Sequence, residues 1–195
     1  RRAIKTSTYI MAPLMMGLAF CATPIVRLIL TEKWLPCVPY LQIFCITYMF
    51  WPIHTANLNA INAMGRSDYL LKLEIAKKAI GMILLLSTMH FGVMVMAYSL
   101  LVSTVTSMII NSWPNKTLLG YSFKEQMVDI FPGIFLALIM GIAISLIRLL
   151  MLPDIVTLAI QILVGAAIYI GLSAIFKVES FEYLWNMVKS VLNKK

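Results

Sequence analysis

The stretch AIGMILLLSTMHFGVMVMAYSLLVSTVTSMIINSWPN, residues 79–115, decides the fold, because it contains no Asp, Glu, Lys or Arg. One α-helix over this stretch would be more than about 50 Å long, whereas the hydrocarbon core of a bilayer is about 30 Å thick. Two helices fit if the chain turns near His90-Phe91-Gly92. The first of them then begins before Lys78, so the charged segment KLEIAKK, residues 72–78, belongs to a membrane helix.

The composition of the whole chain points to the same class. The 195 residues are 61% hydrophobic and 12% charged, and the mean hydropathy is +0.90. A soluble domain of this length cannot bury so much apolar surface, and disordered chains are poor in apolar residues. We therefore expect an integral membrane protein. It is expected to be all-α, since no segment alternates with the period of two that a membrane barrel requires.

Six apolar segments are long enough to cross a bilayer as helices. They cover residues 10–30, 36–63, 69–89, 92–113, 130–150 and 155–176. Trp51-Pro52 is expected to kink the second segment, because proline lacks a backbone N–H and clashes with the preceding turn. We assign residues 1–177 to one transmembrane unit and residues 178–195 to a tail.

Basic residues are divided unevenly between the two ends of these helices. With a cytoplasmic N-terminus, 13 of the 16 lysines and arginines lie on the cytoplasmic side, and Arg27, Lys33 and Arg148 lie on the other. Such an excess is typical of cytoplasmic loops. It accounts for the net charge of +8 without nucleic acid as a partner, and it places both ends of the chain in the cytoplasm.

The tail has the pattern of an amphipathic helix. Its apolar residues recur at helical spacing: Phe181, Leu184, Trp185, Val188, Val191 and Leu192. Its charged residues lie around the rest: Glu182, Lys189, Lys194 and Lys195. This pattern favours a helix lying on the cytoplasmic membrane surface, with a frayed polar tail as the alternative.

Charged residues inside a membrane helix are costly and therefore candidates for function. Glu74 lies three residues before Lys77 and four before Lys78, so it can pair with either lysine. One carboxylate cannot neutralise both lysines, which point about 100° apart. One interpretation is a cationic wall for an anionic substrate. The other is that both lysines extend to the cytoplasmic headgroups.

Three further polar residues are candidates for a binding site. His54 and Asn57 share a helix face at a spacing of three. They either line a polar cavity that hydrogen-bonds hydroxyl groups such as those of sugars, or form interhelical hydrogen bonds. Arg27, near the outer end of the first segment, either anchors that end in the headgroups or contacts a phosphate at the outer mouth.

The motifs of common enzyme classes are missing from the sequence. It has no Walker A loop, no HExxH and no GxSxG, so we expect neither an enzyme nor a bound cofactor. Cys21, Cys37 and Cys45 show no paired spacing and are expected to be buried thiols rather than metal ligands or a disulfide. Glu74 is the one acidic candidate for the membrane carboxylate that ion-driven antiporters use.

Three runs of sequence in combination resemble a known family. They are EKWLPCVPYLQIFCITYMFWPIH (32–54), NLNAINAMGRSD (57–68) and LLKLEIAKKAIG (70–81). Together they resemble the C-terminal half of bacterial polysaccharide flippases of the Wzx type, in the colanic-acid and teichuronic-acid exporter branch. These flippases belong to the multidrug/oligosaccharidyl-lipid/polysaccharide exporter superfamily, whose members include MATE-like transporters.

The resemblance implies one lobe of a two-lobed transporter that works by alternating access, with the N-terminal lobe missing here. It implies an undecaprenyl-diphosphate-linked oligosaccharide as substrate, moved to the outer leaflet of the bacterial inner membrane for surface polysaccharide biosynthesis. A polysaccharide polymerase is implied as a further partner. Lys77 and Lys78 lie within the matching runs and are candidates to bind the diphosphate. The alternative within the superfamily is a drug/cation antiporter.

Overall fold

The computed structural model describes residues 1–192, with side-chain surroundings for residues 1–190, and this part of the chain is all-helical. The α-helices are α1 (Arg2–Phe20), α2 (Ala22–Leu30), α3 (Val38–Met49), α4 (Trp51–Ala63), α5 (Ser67–Thr88), α6 (Val93–Leu119), α7 (Phe123–Leu146), α8 (Asp154–Ile175) and α9 (Glu179–Leu192). Of the predicted amphipathic tail, Lys194 and Lys195 lie outside the described residues, as do the side chains of Val191 and Leu192.

Three of the described helices are long and apolar enough to cross a membrane: α6, α8, and α7 together with the 3-10 turn that follows it. If the α1–α2 pair, bent by 65°, crosses the membrane as one span, the number of candidate spans rises to four. The sequence predicts six. The difference has a physical cause in each remaining segment. Helices α3 and α4 have 12 and 13 residues, fewer than the about 20 that a span needs. Helix α5 is long, but its first half contains several charged residues.

Two helix breaks lie beside prolines. Pro24 cannot donate an N–H to the carbonyl of Phe20, and its ring clashes with that carbonyl, so α1 gives way to α2 at Cys21. Pro52 is the second residue of α4, where a helix needs no N–H donor. The sequence predicts a kink at Trp51-Pro52, and in the structure the helix is interrupted at this place by one residue, Phe50, between α3 and α4.

The charge-free stretch 79–115 turns at the place where the sequence predicts two helices. A 3-10 turn at Met89–Phe91 ends α5, and Gly92 follows it with a φ of 94°. Glycine adopts this left-handed conformation without the steric cost that a side chain would bring. Helix α5 begins at Ser67, so the charged segment 72–78 lies inside a helix that continues into apolar sequence.

The main core lies between α1, α3, α7 and α8. Its buried residues are Tyr9, Ala12, Met49, Leu136, Ala137, Met140 and Tyr169. Helix α5 lies apart from this core, in contact with α6, with α4 and with the turn that follows it. Among the described residues, Leu73 is the one buried residue of α5. A cleft therefore separates α5 from the break between α3 and α4.

The two ends of the helices are held by different ion pairs. At one end, Asp129 of α7 meets Arg1 at 2.5 Å and Lys5 at 3.3 Å, so the start of α1 lies beside the start of α7. At the opposite end, Arg27 of α2 meets Asp154 of α8 at 3.2 Å. The first end is the one that the charge pattern assigns to the cytoplasm.

Candidate functional site

The cleft beside α5 has a volume of about 460 Å³ and lies between α3, α4, α5 and α6. Its lining combines an ammonium group, a carboxylate, an imidazole, amides, hydroxyls and two aromatic rings. The residues that contribute these groups are Thr47, Tyr48, Trp51, His54, Thr55, Asn59, Glu74, Lys77, Thr104, Ser107 and Asn111. Polar and charged groups are costly inside a membrane protein, so their grouping here makes the cleft the candidate functional site.

The spacing of residues along α4 explains why its polar residues meet in the cleft. Helix α4 restarts at Trp51, and residues three, four and seven positions further on share the face of that first residue. His54, Thr55 and Leu58 occupy these positions, and all three line the cleft together with Trp51.

Glu74 and Lys77 of α5 both face the cleft, and Lys78 does not line it. The Nζ atom of Lys77 lies 2.5 Å from Oε1 of Glu74, and the Lys77 side chain is 13% exposed. Lys78 is exposed on another face of α5. The structure therefore separates two adjacent lysines that the sequence offers together as candidates.

His54 meets α6 inside the cleft. Its Nδ1 atom lies 3.1 Å from Nδ2 of Asn111, and its ring centroid lies 6.5 Å from that of Trp51. Asn111 is 0% exposed. The Nε2 atom of His54 and the Oδ1 atom of Asn111 are buried and have no hydrogen-bond partner among the described residues. The cleft thus contains two polar atoms that the protein leaves unsatisfied.

Helix α6 contributes a polar stripe that sequence reasoning missed. Thr104, Ser107 and Asn111 follow one another at spacings of three and four, which places them on one helix face, and all three line the cleft. The signal was present in the sequence as a polar periodicity. It was overlooked because the surrounding stretch carries no charge and was interpreted only for its length.

Asn57 lies outside this cleft, in a buried network between helices. Its Nδ2 atom donates to Oε1 of Gln126 at 2.8 Å and to Oγ of Ser112 at 3.2 Å. Its Oδ1 atom accepts a hydrogen bond of 2.6 Å from Nδ2 of Asn115. Asn57 is 1% exposed and joins α4 to α6 and α7. These contacts correspond to the interhelical alternative of the two that the sequence left open.

Arg27 also lies away from the cleft, between two carboxylates. Its Nη1 atom is 3.2 Å from Asp154, and its Nε atom is 3.5 Å from Glu32. Neither acid was anticipated as a partner, although Asp154 directly follows Pro153 at the first turn of α8, where acidic residues are favoured. Two carboxylates already balance this guanidinium, so it offers little net charge to a phosphate.

A second group of charges that sequence reasoning missed joins α1, α7 and α9. Asp129, with its side chain 5% exposed, accepts hydrogen bonds from Arg1 and from the Tyr121 hydroxyl. Lys5 lies 2.6 Å from Glu179 at the start of α9 and donates a hydrogen bond to it. This hydrogen bond lowers the pKa of the Glu179 carboxyl below its ordinary value. The ion pairs hold the start of α1 against α9.

Comparisons with known proteins give two similarities. Residues 1–39 match the profile of a family described as "Polysaccharide biosynthesis protein". Over 170 residues, 85% of this chain, the sequence is 25% identical to an uncharacterized membrane protein of Methanocaldococcus jannaschii. The chain covers 32% of that relative and so spans about a third of its length. No solved structure matches the chain significantly. The candidate spans and this relative together show a multi-pass membrane protein, similar in its first 39 residues to a polysaccharide biosynthesis family.

Proposed function

We propose that this chain is one lobe of a two-lobed transporter that moves a lipid-linked oligosaccharide across the cytoplasmic membrane during surface polysaccharide biosynthesis. Its substrate would be an undecaprenyl-diphosphate-linked oligosaccharide, carried to the outer leaflet by alternating access. The observation that carries the proposal is the cleft beside α5, where an ammonium group, hydroxyls, amides and aromatic rings line one space. The polysaccharide biosynthesis match over residues 1–39 supports the same class of substrate.

A diphosphate-linked sugar presents two chemistries, and the cleft has groups for both. The Lys77 ammonium is a compact positive charge suited to phosphate oxygens. Tyr48 and Trp51 are 47% and 59% exposed, so their rings are free to pack against the apolar face of a sugar. Glu74 holds Lys77 in the absence of substrate, and an incoming diphosphate would compete for the same ammonium group.

The cation antiporter is the less favoured alternative. Ion-driven antiporters usually keep an ionisable carboxylate inside the membrane. Glu74 is the one carboxylate that lines the cleft among the described residues, and Lys77 already pairs with it. The charge of this pair is balanced, so charge alone favours neither a cation nor an anion, and the preference for the oligosaccharide rests on the hydroxyls, amides and aromatic rings of the lining.

The test compares the two adjacent lysines of α5 in the intact protein. Lys77→Ala is expected to lower polymer export about tenfold or more, because it removes the one lysine that lines the cleft. Lys78→Ala is the matched control, with the same charge lost from the same helix outside the cleft. Surface polysaccharide is measured in cells that lack the chromosomal gene, and membrane protein levels are measured by immunoblot.

Two results would contradict the proposal. Wild-type export by Lys77→Ala at a normal protein level would remove the cleft from the transport path. Equal losses for Lys77→Ala and Lys78→Ala would point to a general effect of charge on insertion into the membrane, since only one of the two lysines lines the cleft.

A further inference from the structure

His54 and Asn111 form a polar pair across the cleft whose hydrogen bonding is half complete. One nitrogen of the imidazole faces the amide nitrogen of Asn111 at 3.1 Å. The other imidazole nitrogen and the amide oxygen are buried without a partner in the described residues. Buried polar groups are nearly always hydrogen-bonded in folded proteins, so two such atoms on adjacent side chains call for an explanation.

The pair leaves one buried donor and one buried acceptor without a partner among the described residues. With the amide nitrogen donating to Nδ1, a neutral imidazole carries its proton on Nε2 and offers a donor there, while Oδ1 of Asn111 offers an acceptor. If the amide is turned over, Nδ1 of His54 donates to Oδ1, Nε2 becomes the acceptor, and the amide nitrogen becomes the donor. Either orientation leaves one unpaired donor and one unpaired acceptor, which separate groups of a ligand would meet.

Hydroxyl groups can satisfy both atoms, whereas an ionised phosphate can satisfy only the donor. A hydroxyl carries one proton to donate and lone pairs to accept. Ionised phosphate oxygens only accept hydrogen bonds. A quaternary ammonium group or an alkyl chain neither donates nor accepts them. The Thr104 and Ser107 hydroxyls continue along the same face of α6, and the Trp51 ring lies beside His54. These are further contacts for the hydroxyls and the apolar face of a sugar ring.

We propose that His54 and Asn111 form a hydroxyl-binding subsite that recognises a sugar of the transported molecule, while Lys77 binds its phosphate. The inference rests on the proposed function and adds that two parts of one cleft bind two different parts of the substrate. The subsite discriminates lipid-linked sugars from the sugar-free lipid diphosphate. Lys77 contributes to the binding of both.

The experiment measures binding of two probes to the intact, purified protein by isothermal titration calorimetry. One probe is a fifteen-carbon polyprenyl diphosphate, and the other is the same lipid linked to glucose. Wild-type protein is expected to bind the glucose-linked probe about tenfold more tightly or better, because a site built around a hydroxyl loses affinity when the hydroxyl is missing. Asn111→Leu is expected to abolish this preference and to leave the affinity for the sugar-free probe unchanged. Lys77→Ala is expected to weaken both.

The controls address folding and specificity. Thr106→Val removes a hydroxyl from α6 that bonds its own helix and does not line the cleft, and it should keep the wild-type preference. His54→Phe breaks the same pair from α4 and decides the question if Asn111→Leu fails to fold. Melting temperatures of all variants are measured alongside.

The outcomes separate the inference from the proposed function. If wild-type protein binds neither probe, the proposed function fails. If it binds both equally, or if Asn111→Leu and His54→Phe keep the preference for glucose, the subsite is wrong and the proposed function stands. If the folded variants lose affinity for both probes equally, or if both variants unfold, the pair has a structural role and the inference is overturned.

Discussion

Two polar regions join α4 to α6 and differ in how their hydrogen bonds are completed. In the first, which we call the open pair, His54 and Asn111 each leave one buried polar atom without a partner in the described residues. In the second, about one turn further along, Asn57 uses both ends of its amide on other helices. We call this second region, formed by Asn57, Ser112 and Gln126, the closed network; Asn115 joins it through its amide nitrogen, while its own Oδ1 atom is buried without a partner in the described residues.

The comparison teaches how to separate structural from functional polar residues inside a membrane protein. Both regions consist of polar residues, and polar residues are energetically unfavourable in an apolar environment unless they have a structural or functional role. In the closed network the reason is internal, because the helices satisfy one another and are held together. In the open pair the protein satisfies only half of the available groups. The remainder lines a cleft, where a ligand can complete the bonds.

The largest expected effect on folding comes from opening the closed network. Asn57→Leu removes three side-chain hydrogen bonds. It should lower the free energy of unfolding by about 2 kcal/mol, since interhelical bonds in membranes average about 0.6 kcal/mol and the abandoned polar partners add their own cost. Unfolding in a sodium dodecyl sulfate titration measures the loss.

Asn62→Ala serves as the control for this variant. Asn62 is exposed near the end of the same helix, so its change is expected to fall within about 0.5 kcal/mol of wild type. Similar losses at the two positions would mean that the network contributes nothing particular to stability, and the contrast with the open pair would lose its basis.

From the sequence, some of the polar residues in both regions could be recognised as candidates. The sequence did not show which of them bond other helices and which line the cleft. His54 and Asn57 lie three residues apart on one helix and looked equivalent. What distinguishes them is their partners on α6 and α7, such as Asn111 and Gln126, and local spacing carries no information about contacts so distant in the chain. Lys77 and Lys78 illustrate the same limit, since one residue of rotation decides which lysine meets the cleft.

Helix breaks were more accessible to sequence reasoning than helix starts. Pro52 and Gly92 mark their breaks through backbone chemistry that acts locally. The sequence marks an apolar segment from residue 10, and helix α1 begins earlier, at Arg2, with Lys5 inside it. The charge of Lys5 is balanced by Asp129 and Glu179, which approach from far along the chain.

A middle-sized effect is expected at the opposite end of the molecule, where an ion pair joins α2 to α8. The Arg27 and Asp154 side chains are 39% and 25% exposed. A double-mutant cycle with Arg27→Gln and Asp154→Asn should give a coupling of about 0.5–1 kcal/mol in unfolding, as for partly exposed pairs. Because two protein carboxylates already balance the charge of Arg27, Arg27→Gln should leave polymer export near the wild-type level.

The export measurement can overturn this view of Arg27. A large loss of export by Arg27→Gln, with Asp154→Asn unaffected and both proteins stable, would show that the guanidinium acts on substrate. Arg27 would then belong with the open pair, and the outer end of α2 would be a second contact point for the transported molecule.

The smallest expected effect on stability concerns Glu179, which forms an ion pair with Lys5 but lies at the surface. Its side chain is 71% exposed and pairs with Lys5 at 2.6 Å. The Lys5 hydrogen bond lowers the pKa of Glu179 in the folded state. The pair therefore stabilises the fold above the ordinary pKa of a glutamate, about 4.3, and this contribution is lost as the pH falls through the lowered folded-state value.

The prediction is that Glu179→Gln melts slightly below wild type at pH 7 and that the difference vanishes toward pH 3. High salt should shrink the difference at pH 7, because exposed pairs are screened. Glu182→Gln, an exposed change on the same helix, should show no such pH dependence. If Glu182→Gln behaves as Glu179→Gln does, the effect belongs to the net charge of α9 and not to its ion pair with α1. Exposed ion pairs contribute little to the free energy of unfolding. The contribution of the Lys5–Glu179 pair should therefore be smaller than that of the Arg27–Asp154 pair and much smaller than that of the closed network.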